Sequence, residues 1–333
     1  MNLINKGDFL EFYSKLKQNG INYFLSKITL NSRKRTQSTF NQIRHQGSNW
    51  WIIPEVKQRE NEKISGDPQK TFDVYLAEKY FQDKNDLKLL SIACGIGNRE
   101  IRMAESGHFA EGLGLDLSDE SINEANRKIE EKKLHNIRFE QADFYSFKLK
   151  QNYYDVILFH SALHHFKDIE QIARRVIKAL TDDGYLILNE YVGKNRLQFS
   201  KEQILEMNRL LNHIPHPYRK RYLTNRLKNK IYAPGLLRMI ISDPSEAVES
   251  ETIRSVIHET FKIIEERKIG GDLLMMVLKD IAHHFTNNDD QESKRVLKKL
   301  FQEEDTYLKE TETADFIFGV YQKNIEFSER FNY

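Results

Sequence analysis

Between residues 87 and 188, short apolar runs alternate with amphipathic segments, and this alternation limits the possible folds more than any other feature of the sequence. The intervening segments have helical spacing, as in Ser121–Lys132 and Ile169–Leu180. Apolar strands that alternate with helices are typical of a parallel sheet with both faces covered, so we predict a doubly wound α/β core. The predicted strands are Leu87–Ala93, Gly112–Leu117, Ile137–Ala142, Tyr154–Phe159 and Tyr185–Leu188.

Other patterns divide the 333 residues into five regions around this core. The alternation stops after the fifth strand, where a strong helix pattern at Lys201–His213 precedes an irregular stretch. It resumes with a predicted helix at Ser250–Phe261 and two predicted strands, Lys262–Lys268 and Leu273–Leu278, on either side of two glycines. The regions are an N-terminal helical cap (1–71), the core (72–194), an insertion that would form a lid (195–249), the end of the core (250–280) and a helical tail (281–333).

Charge and cysteine content narrow the classes of partner. The 51 Lys and Arg residues nearly balance the 49 Asp and Glu residues, so the chain lacks the cationic surplus that supplies much of the affinity for nucleic acid. Cys94 is the only cysteine, which excludes an internal disulfide and fits a reducing cytoplasm. No apolar run is long enough to span a membrane or to form a signal peptide. We therefore predict a cytoplasmic protein with no membrane partner and disfavour nucleic acid.

A glycine-containing loop follows the first predicted strand and opens a helix. It runs from Ser91 to Asn98 (SIACGIGN), and its small residues allow the backbone to approach a ligand closely. Asp116 ends the next predicted strand, where a carboxylate reaches the hydroxyls of a ribose. A dinucleotide site needs a third small residue where Glu100 stands, which disfavours nicotinamide dinucleotides.

Four successive motifs resemble those of the class I S-adenosylmethionine-dependent methyltransferases. They are ACGIGN (93–98), GLDLS (114–118), QADFYSF (141–147) and DVILFHSALHHF (155–166). The resemblance implies a Rossmann-like seven-stranded sheet closed by an antiparallel hairpin, which the late strand pair would form, and S-adenosylmethionine as the cofactor. The family often has an acidic residue and a glycine where this chain has Ser91 and Ala93.

The same resemblance implies roles for individual residues. Gly95 and Gly97 would pass under the methionine part of the cofactor, and Asp116 would hold its ribose. Asp143 with Phe144 would flank the adenine. His160 would begin the loop beside the sulfonium. The implied cofactor-binding residues are therefore Ser91, Ala93, Cys94, Gly95, Gly97, Asp116, Leu117, Asp143, Phe144 and His160.

Three further segments look like those of a bacterial subgroup of small-molecule methyltransferases. They are residues 53–67, 189–200 and 243–250, the last of which reads DPSEAVES. Such enzymes often methylate sugars or secondary metabolites. The resemblance therefore implies a small-molecule acceptor, whose reacting atom is an oxygen or a nitrogen.

The chemistry of methyl transfer directs attention to titratable residues near the ends of strands. The reaction is an in-line displacement in which the protein positions the acceptor and handles one proton, and histidine is the usual base near neutral pH. Ligands of open α/β sheets lie at the carboxyl ends of the strands. Residues there are His160, His164, His165, Glu190 and Tyr191. We predict that the catalytic residue is one of His165, His164 and Glu190, with His165 as the first choice.

Neither a metal site nor a catalytic cysteine is predicted. HExxH and paired cysteines are absent, and the adjacent His283 and His284 are expected to point apart. The acceptor would lie under the insertion and beside the N-terminal region. Residues that could line it are His213, His216, Tyr218 and Arg219 from the insertion, and Trp50, Trp51 and Arg59 from the N-terminal side.

Two other functions stay open on the sequence. An RNA or protein methyltransferase would use the basic patches at residues 33–35 and 219–221 to hold its substrate. A non-catalytic protein could bind the cofactor and keep the fold without turnover.

Overall fold

One seven-stranded sheet organises the protein. The computed structural model describes residues 47–324, apart from residue 225, together with residues 3, 4, 7–9 and 13. Most of the predicted N-terminal cap, including the basic patch at 33–35, lies outside these described residues. The strands are β1 Leu87–Ile92, β2 Phe109–Asp116, β3 Ile137–Gln141, β4 Tyr154–His160, β5 Leu180–Tyr191, β6 Phe261–Gly270 and β7 Phe316–Lys323.

The sheet order is β3-β2-β1-β4-β5-β7-β6. Strands β1 to β5 pair in parallel, whereas β7 is antiparallel to both β5 and β6. This arrangement confirms the doubly wound core and the seven-stranded sheet with an antiparallel closing hairpin. The α-helices are α1 Pro54–Ser65, α2 Phe72–Tyr80, α3 Asn98–Glu105, α4 Asp119–Lys132, α5 Ile169–Ala179, α6 Lys201–His213, α7 Leu236–Ser242, α8 Ser250–Thr260, α9 Leu274–Leu278 and α10 Gln291–Thr311.

The closing hairpin is built from different residues than predicted. Leu274–Leu278 is a buried helix and not a strand, and the second strand of the hairpin is Phe316–Lys323, inside the region predicted as a helical tail. A short run that is apolar on every side fits a buried strand and a buried helix equally well, because neither periodicity is visible. The two glycines before the run both have positive φ, which turns the chain away from the sheet.

Glycine at position 97 lets helix α3, which follows β1, pack against the sheet. Gly97 has φ +69° and precedes α3, and a Cβ there would lie 2.5 Å from the ring of Phe139 on β3. Gly114 on β2 faces the same ring, at 2.4 Å from an added Cβ. Only residues without a side chain can approach an aromatic ring this closely, so the glycines of two motifs serve one packing contact.

The insertion predicted at 195–249 is attached to the core at several points. Its two ends are tied to each other, because Arg196 donates hydrogen bonds to the backbone carbonyls of Asp243, Pro244 and Glu246. The buried ammonium group of Lys228 donates to three carbonyls at the end of α9. These contacts bring residues 243–246 back to the carboxyl edge of the sheet.

Two smaller observations concern the remaining expectations. Within the part of the chain described, no helix is both long and apolar enough to cross a membrane. The rings of His283 and His284 do not point apart, because both lie in a single 3₁₀ turn (Ala282–Phe285) that brings their centroids to 3.9 Å.

Candidate active site

The glycine loop lies at the carboxyl end of β1 and leaves open space above its backbone. Ala93, Gly95 and Gly97 all have positive φ, so the chain makes a tight left-handed path into α3. A Cβ added at Gly95 would meet no atom within 4 Å, unlike one at Gly97. Cys94 is anchored by its N–H, which donates to the carbonyl of Leu115 on β2. The open side of the loop is therefore at Gly95.

Asp116 holds the loop in this position. One carboxylate oxygen of Asp116 accepts the N–H of Gly95 at 2.8 Å, and the other accepts the N–H of Ser118 at 2.8 Å. Burial raises the pKa of Asp116. A backbone hydrogen bond from Leu117 also reaches this carboxylate. Of the roughly four acceptor sites of a carboxylate, one therefore stays open for a ligand above the loop.

Ser91 is placed differently from an exposed ligand-binding residue. Its hydroxyl is buried beneath the loop and donates to Oε1 of Glu100 at 2.7 Å. Burial raises the pKa of Glu100, and the Ser91 hydroxyl bond opposes that shift. The carboxylate under this loop thus comes from helix α3, although the strand residue at position 91 is not acidic.

The loop after β3 contributes Asp143, while its neighbour Phe144 belongs to the core. Oδ1 of Asp143 accepts the N–H of Tyr145 at 3.0 Å, which forms a tight turn. Phe144 is only 4% exposed, and its ring packs edge-on against Phe159 and Phe166. The Phe144 ring therefore fills the core and supports the turn from below, and its implied role beside the adenine stays a prediction. Leu117, the other residue at these strand ends, is half-buried.

A polar cluster around His160 was not singled out in the sequence. The His160 ring stacks on Phe72, and its Nε2 lies 3.5 Å from the amide nitrogen of Asn189, which donates to Glu60 on α1 at 2.7 Å. Burial, together with the nearby Arg99 cation, lowers the pKa of His160, and burial raises the pKa of Glu60. His160 is therefore neutral. Glu60 lies in the segment 53–67, which was noted only for its resemblance.

Glu190, at the end of β5, is a fully buried acceptor of four hydrogen bonds. Oε2 accepts the N–H groups of Ala162 and Leu163 at 2.7 and 2.6 Å. Oε1 accepts the N–H of Tyr191 at 2.7 Å and pairs with Nδ1 of His164. The side chain is 0% exposed. This corrects the expectation that Glu190 handles the acceptor's proton: its carboxylate holds the loop after β4 in place and cannot reach a ligand.

His164 is protonated by its pairing with Glu190. Burial alone would lower the pKa of His164, but the Glu190 carboxylate outweighs it and raises the pKa to about 9. Burial likewise works to raise the pKa of Glu190, and the His164 cation with the backbone N–H donors brings it below its usual value. His164 already carries its proton at neutral pH, so it is corrected from a candidate base to the cationic partner of Glu190.

His165 has the properties of a base. Its Nδ1 lies 3.2 Å from the hydroxyl of Ser245, and that hydroxyl donates to Oδ1 of Asp243 at 2.6 Å. Because the hydroxyl has one hydrogen, which goes to the carboxylate, its oxygen accepts from the Nδ1–H of His165 and leaves Nε2 unprotonated. Burial and the adjacent His164 cation lower the pKa of His165 and keep the ring neutral.

The insertion reaches the site through residues that the sequence did not assign. Asp243 and Ser245 belong to the DPSEAVES segment, and Glu246 follows at 4.0 Å from Nδ1 of His165. His164, His165 and Glu246 offer ligand atoms within 4.8 Å of one another, so the expectation of no metal stays a prediction here.

The residues expected to line the acceptor site have other contacts. Tyr218 donates to the carboxylate of Asp290, and the buried Arg219 contacts Asn212. His213 and His216 are exposed. Trp50 and Trp51 pack on Phe316, and Arg59 forms ion pairs with Glu304 and Asp305. These side chains hold the insertion and the N-terminal segment against the rest of the chain.

Comparison with known proteins agrees with this geometry. Residues 83–233 match a family described as "Methyltransferase domain". Over these residues the chain is similar to methyltransferase domains, which supports the resemblance to the class I S-adenosylmethionine-dependent methyltransferases. The family's cofactor, S-adenosylmethionine, is the one predicted from the loop motifs.

Relatives of this methyltransferase domain match only part of the chain. "Uncharacterized methyltransferase YcgJ" of Bacillus subtilis is 28% identical over 155 residues, 42% of this chain and 60% of that protein. Phosphoethanolamine N-methyltransferase 1 of Triticum aestivum is 27% identical over 184 residues, 54% of this chain and 34% of that protein. The chain thus spans less than two thirds of the length of each.

A solved structure shows the same fold. Phosphoethanolamine N-methyltransferase 2 of Haemonchus contortus, in complex with S-adenosyl-L-methionine, aligns with a TM-score of 0.50 at 14% identity. The alignment covers 86% of this chain and 60% of that one. Identity at this level supports the arrangement of strands and helices alone.

Proposed function

We propose that the chain transfers the methyl group of S-adenosylmethionine to an oxygen or nitrogen of a small molecule, with His165 as the proton acceptor. One observation carries this proposal: a neutral His165, oriented by Ser245 and Asp243, lies at the same sheet edge as the glycine loop. Both the cofactor loop after β1 and the loop after β4 occupy the carboxyl ends of parallel strands, where ligands of open α/β sheets bind.

In the proposed reaction, the acceptor's oxygen or nitrogen forms a bond to the methyl carbon as the carbon–sulfur bond breaks. The sulfur keeps the electron pair of the broken bond. The acceptor's proton passes to Nε2 of His165, and the resulting positive charge is balanced through Ser245 by Asp243. The Glu190–His164 pair holds the loop that carries His165 and takes no part in proton transfer.

At the cofactor end, we propose that Asp116 binds the ribose hydroxyls and that the open side of Gly95 admits the methionine moiety. The support is the unused acceptor capacity of the Asp116 carboxylate and the empty space above Gly95. Asp143 would accept a hydrogen bond from the adenine, supported from below by the Phe144 ring. The cation charge of the sulfonium would lie near the neutral ring of His160.

Replacing Asp116 with Asn should weaken S-adenosylhomocysteine binding by roughly ten- to a hundredfold. Charge-assisted hydrogen bonds to ribose hydroxyls are worth about 1.5–3 kcal/mol, and the amide of Asn cannot accept on both sides. Isothermal titration calorimetry measures the change, with the exposed Asp83→Asn as a matched control. If wild-type protein shows neither heat nor a thermal shift with the cofactor or its demethylated product, the cofactor site is wrongly placed.

Residues 236–248 should gain hydrogen-exchange protection when S-adenosylhomocysteine and an acceptor bind. We propose that the 195–249 insertion covers the acceptor, because Ser245 bonds to His165 and the N–H of Val248 donates to the carbonyl of His164. Peptides from strand β4 serve as the internal reference. Unchanged protection in 236–248 with both ligands present would remove the covering role.

The proposal also includes the chemical class of the acceptor and the cellular compartment of the protein. The resemblance of three segments to small-molecule methyltransferases supports a sugar or secondary metabolite as the acceptor. The wheat relative is named for a small-molecule acceptor, phosphoethanolamine. A reducing cytoplasm is supported by a lone cysteine, Cys94, whose thiol pKa is raised by burial.

A further inference from the structure

One segment of the insertion carries a concentrated positive charge. Residues 214–242, here called the basic segment, contain seven Lys and Arg residues and no Asp or Glu. The whole chain has a formal charge of +2, so removing the +7 of this segment leaves −5 for the remainder. The near balance of the chain as a whole therefore hides one strongly cationic region.

The cations of the basic segment divide into two groups. Buried Lys228 holds three carbonyls, and Arg221 and Arg238 pair with Asp280 and Asp8. These three residues fix the segment to the rest of the chain and line one shallow hollow with its neighbours. Arg219 is also buried and contacts Asn212, so it belongs to this first group. The second group is exposed and consists of Lys220, Arg226 and Lys230.

Large aliphatic side chains are exposed on the same segment. On α7, only Met239 is buried, whereas Leu237, Ile240 and Ile241 are 45%, 39% and 47% exposed. The loop before it adds Leu223, which is also exposed. A helix that turns more aliphatic surface outward than inward, in a segment without acidic residues, has the composition of an interfacial surface.

Residues near the N-terminus extend this surface. The N–H of Leu237 donates to the carbonyl of Leu3, and Asp8 accepts from the N–H of Gly235. Leu3 and Phe9 are 68% and 70% exposed. The apolar surface is therefore formed by two parts of the chain that hydrogen bonds hold together.

We propose that this surface, made of the basic segment with Leu3 and Phe9, docks on an anionic lipid bilayer. The exposed Lys220, Arg226 and Lys230 would meet acidic headgroups, and the α7 side chains would enter the boundary with the acyl chains. Docking here would bring the bilayer next to residues 243–246, which contact His165. The proposal concerns peripheral binding, whereas the expectation of no membrane partner rested on the absence of a spanning segment and stays a prediction.

Aliphatic residues favour lipid over nucleic acid as the occupant. Both partners attract cations, but single-stranded nucleic acid gains its apolar contacts by base stacking on aromatic rings. The surface also exposes the rings of Phe9 and Tyr222, but most of its exposed apolar side chains, including Leu237, Ile240 and Ile241, are aliphatic and offer no ring for stacking. A bilayer can bury both kinds of side chain. The two partners therefore predict opposite responses to removal of the aliphatic side chains.

Sedimentation of the full chain with vesicles tests the proposal. We expect binding to phosphatidylcholine vesicles that contain a third phosphatidylserine, and much weaker binding to phosphatidylcholine alone. Each surface cation contributes about 1 kcal/mol, or about fivefold, so K220S/R226S/K230S should weaken binding by about a hundredfold. L237S/I241S should weaken vesicle binding by at least about tenfold, because each substitution removes an aliphatic side chain that the bilayer would bury.

A matched pair of exposed aliphatic residues elsewhere on the protein serves as the control for a general loss of surface hydrophobicity. I263S/I264S changes side chains that are 45% and 37% exposed on β6, outside the basic segment, and should bind vesicles like wild type. Circular dichroism confirms that each variant is folded.

Two results would overturn the proposal: no binding of the wild-type protein to anionic vesicles, or binding of L237S/I241S like that of the wild type. Salt-sensitive binding to bulk tRNA that survives L237S/I241S, without vesicle binding, would instead assign the surface to nucleic acid. All these measurements omit the cofactor, so they do not depend on the proposed reaction.

Discussion

His165→Ala and His165→Gln should lower turnover by roughly 10²–10⁴ while leaving cofactor affinity nearly unchanged. His165 is the one member of the predicted catalytic trio that is neutral and reachable, and a positioned general base contributes a factor of this size. Turnover is measured as release of S-adenosylhomocysteine with a panel of hydroxyl- and amine-bearing sugars and metabolites. Calorimetry with S-adenosylhomocysteine gives the cofactor affinity of the same variants.

The pH profile and a chelator distinguish proton transfer from other roles of His165. Because the pKa of His165 is lowered from 6.5, kcat/KM of the wild type should fall on an acid limb below that pH, and the limb should be absent in His165→Gln. His213→Ala, an exposed histidine of the insertion, is the matched control. Near-normal turnover of both His165 variants contradicts the proposed base. Loss of wild-type turnover in EDTA, restored by a divalent cation, would mean that His165 binds a metal with His164 and Glu246.

Glu190→Ala should destabilise the protein by about 3–5 kcal/mol. The substitution leaves a buried His164 cation without its partner, and it leaves the N–H groups of Ala162, Leu163 and Tyr191 without their acceptor. Denaturant unfolding monitored by circular dichroism measures the free energy of unfolding. In a double-mutant cycle, E190Q/H164N should cost less than the sum of the single changes, because no buried charge remains. A cost below about 1 kcal/mol for Glu190→Ala would show that the pair is not structural.

The contribution of this pair should depend on pH with a defined sign. The folded pKa of His164 is raised to about 9, so its stabilisation is complete below the unfolded value of 6.5 and is lost as the pH rises through 9. The pKa of Glu190 is lowered from 4.5, so its stabilisation is complete above that pH and is lost in more acidic solution. The difference in unfolding free energy between wild type and Glu190→Gln should therefore be largest between pH 4.5 and 6.5 and shrink as the pH rises from 6.5 through 9.

The parallel part of the fold could be predicted because each strand carries its own signal. Strands β1 and β4 are buried on both faces and therefore appear as continuous apolar runs. The closing hairpin carried no such signal, since the run at Leu274–Leu278 is apolar on every side. Strand β7 lies 55 residues beyond the start of its partner β6, and its place between β5 and β6 depends on pairing across that distance.

The site shows the same division between local and distant information. The positions of Asp116, His160 and His165 follow from strand ends, which the sequence marks. Their protonation does not, because it depends on contacts between distant residues. His165 meets Ser245, 80 positions away, and Glu190 accepts from backbone groups of a different loop, 27 and 28 positions before it. No local pattern distinguishes a buried carboxylate with four donors from one that faces a ligand.

The position of β7 inside the sheet also has a consequence for synthesis. A nascent chain that ends before residue 316 can assemble β1 to β5, yet β5 and β6 would each present an open edge of unpaired N–H and C=O groups. Only when β7 has left the ribosome can both edges close, and this also places Phe316 against Trp50 and Trp51. Of the seven described strands, the one translated last thus joins the two parts of the sheet, so a partly synthesised chain has to remain unaggregated until β7 emerges.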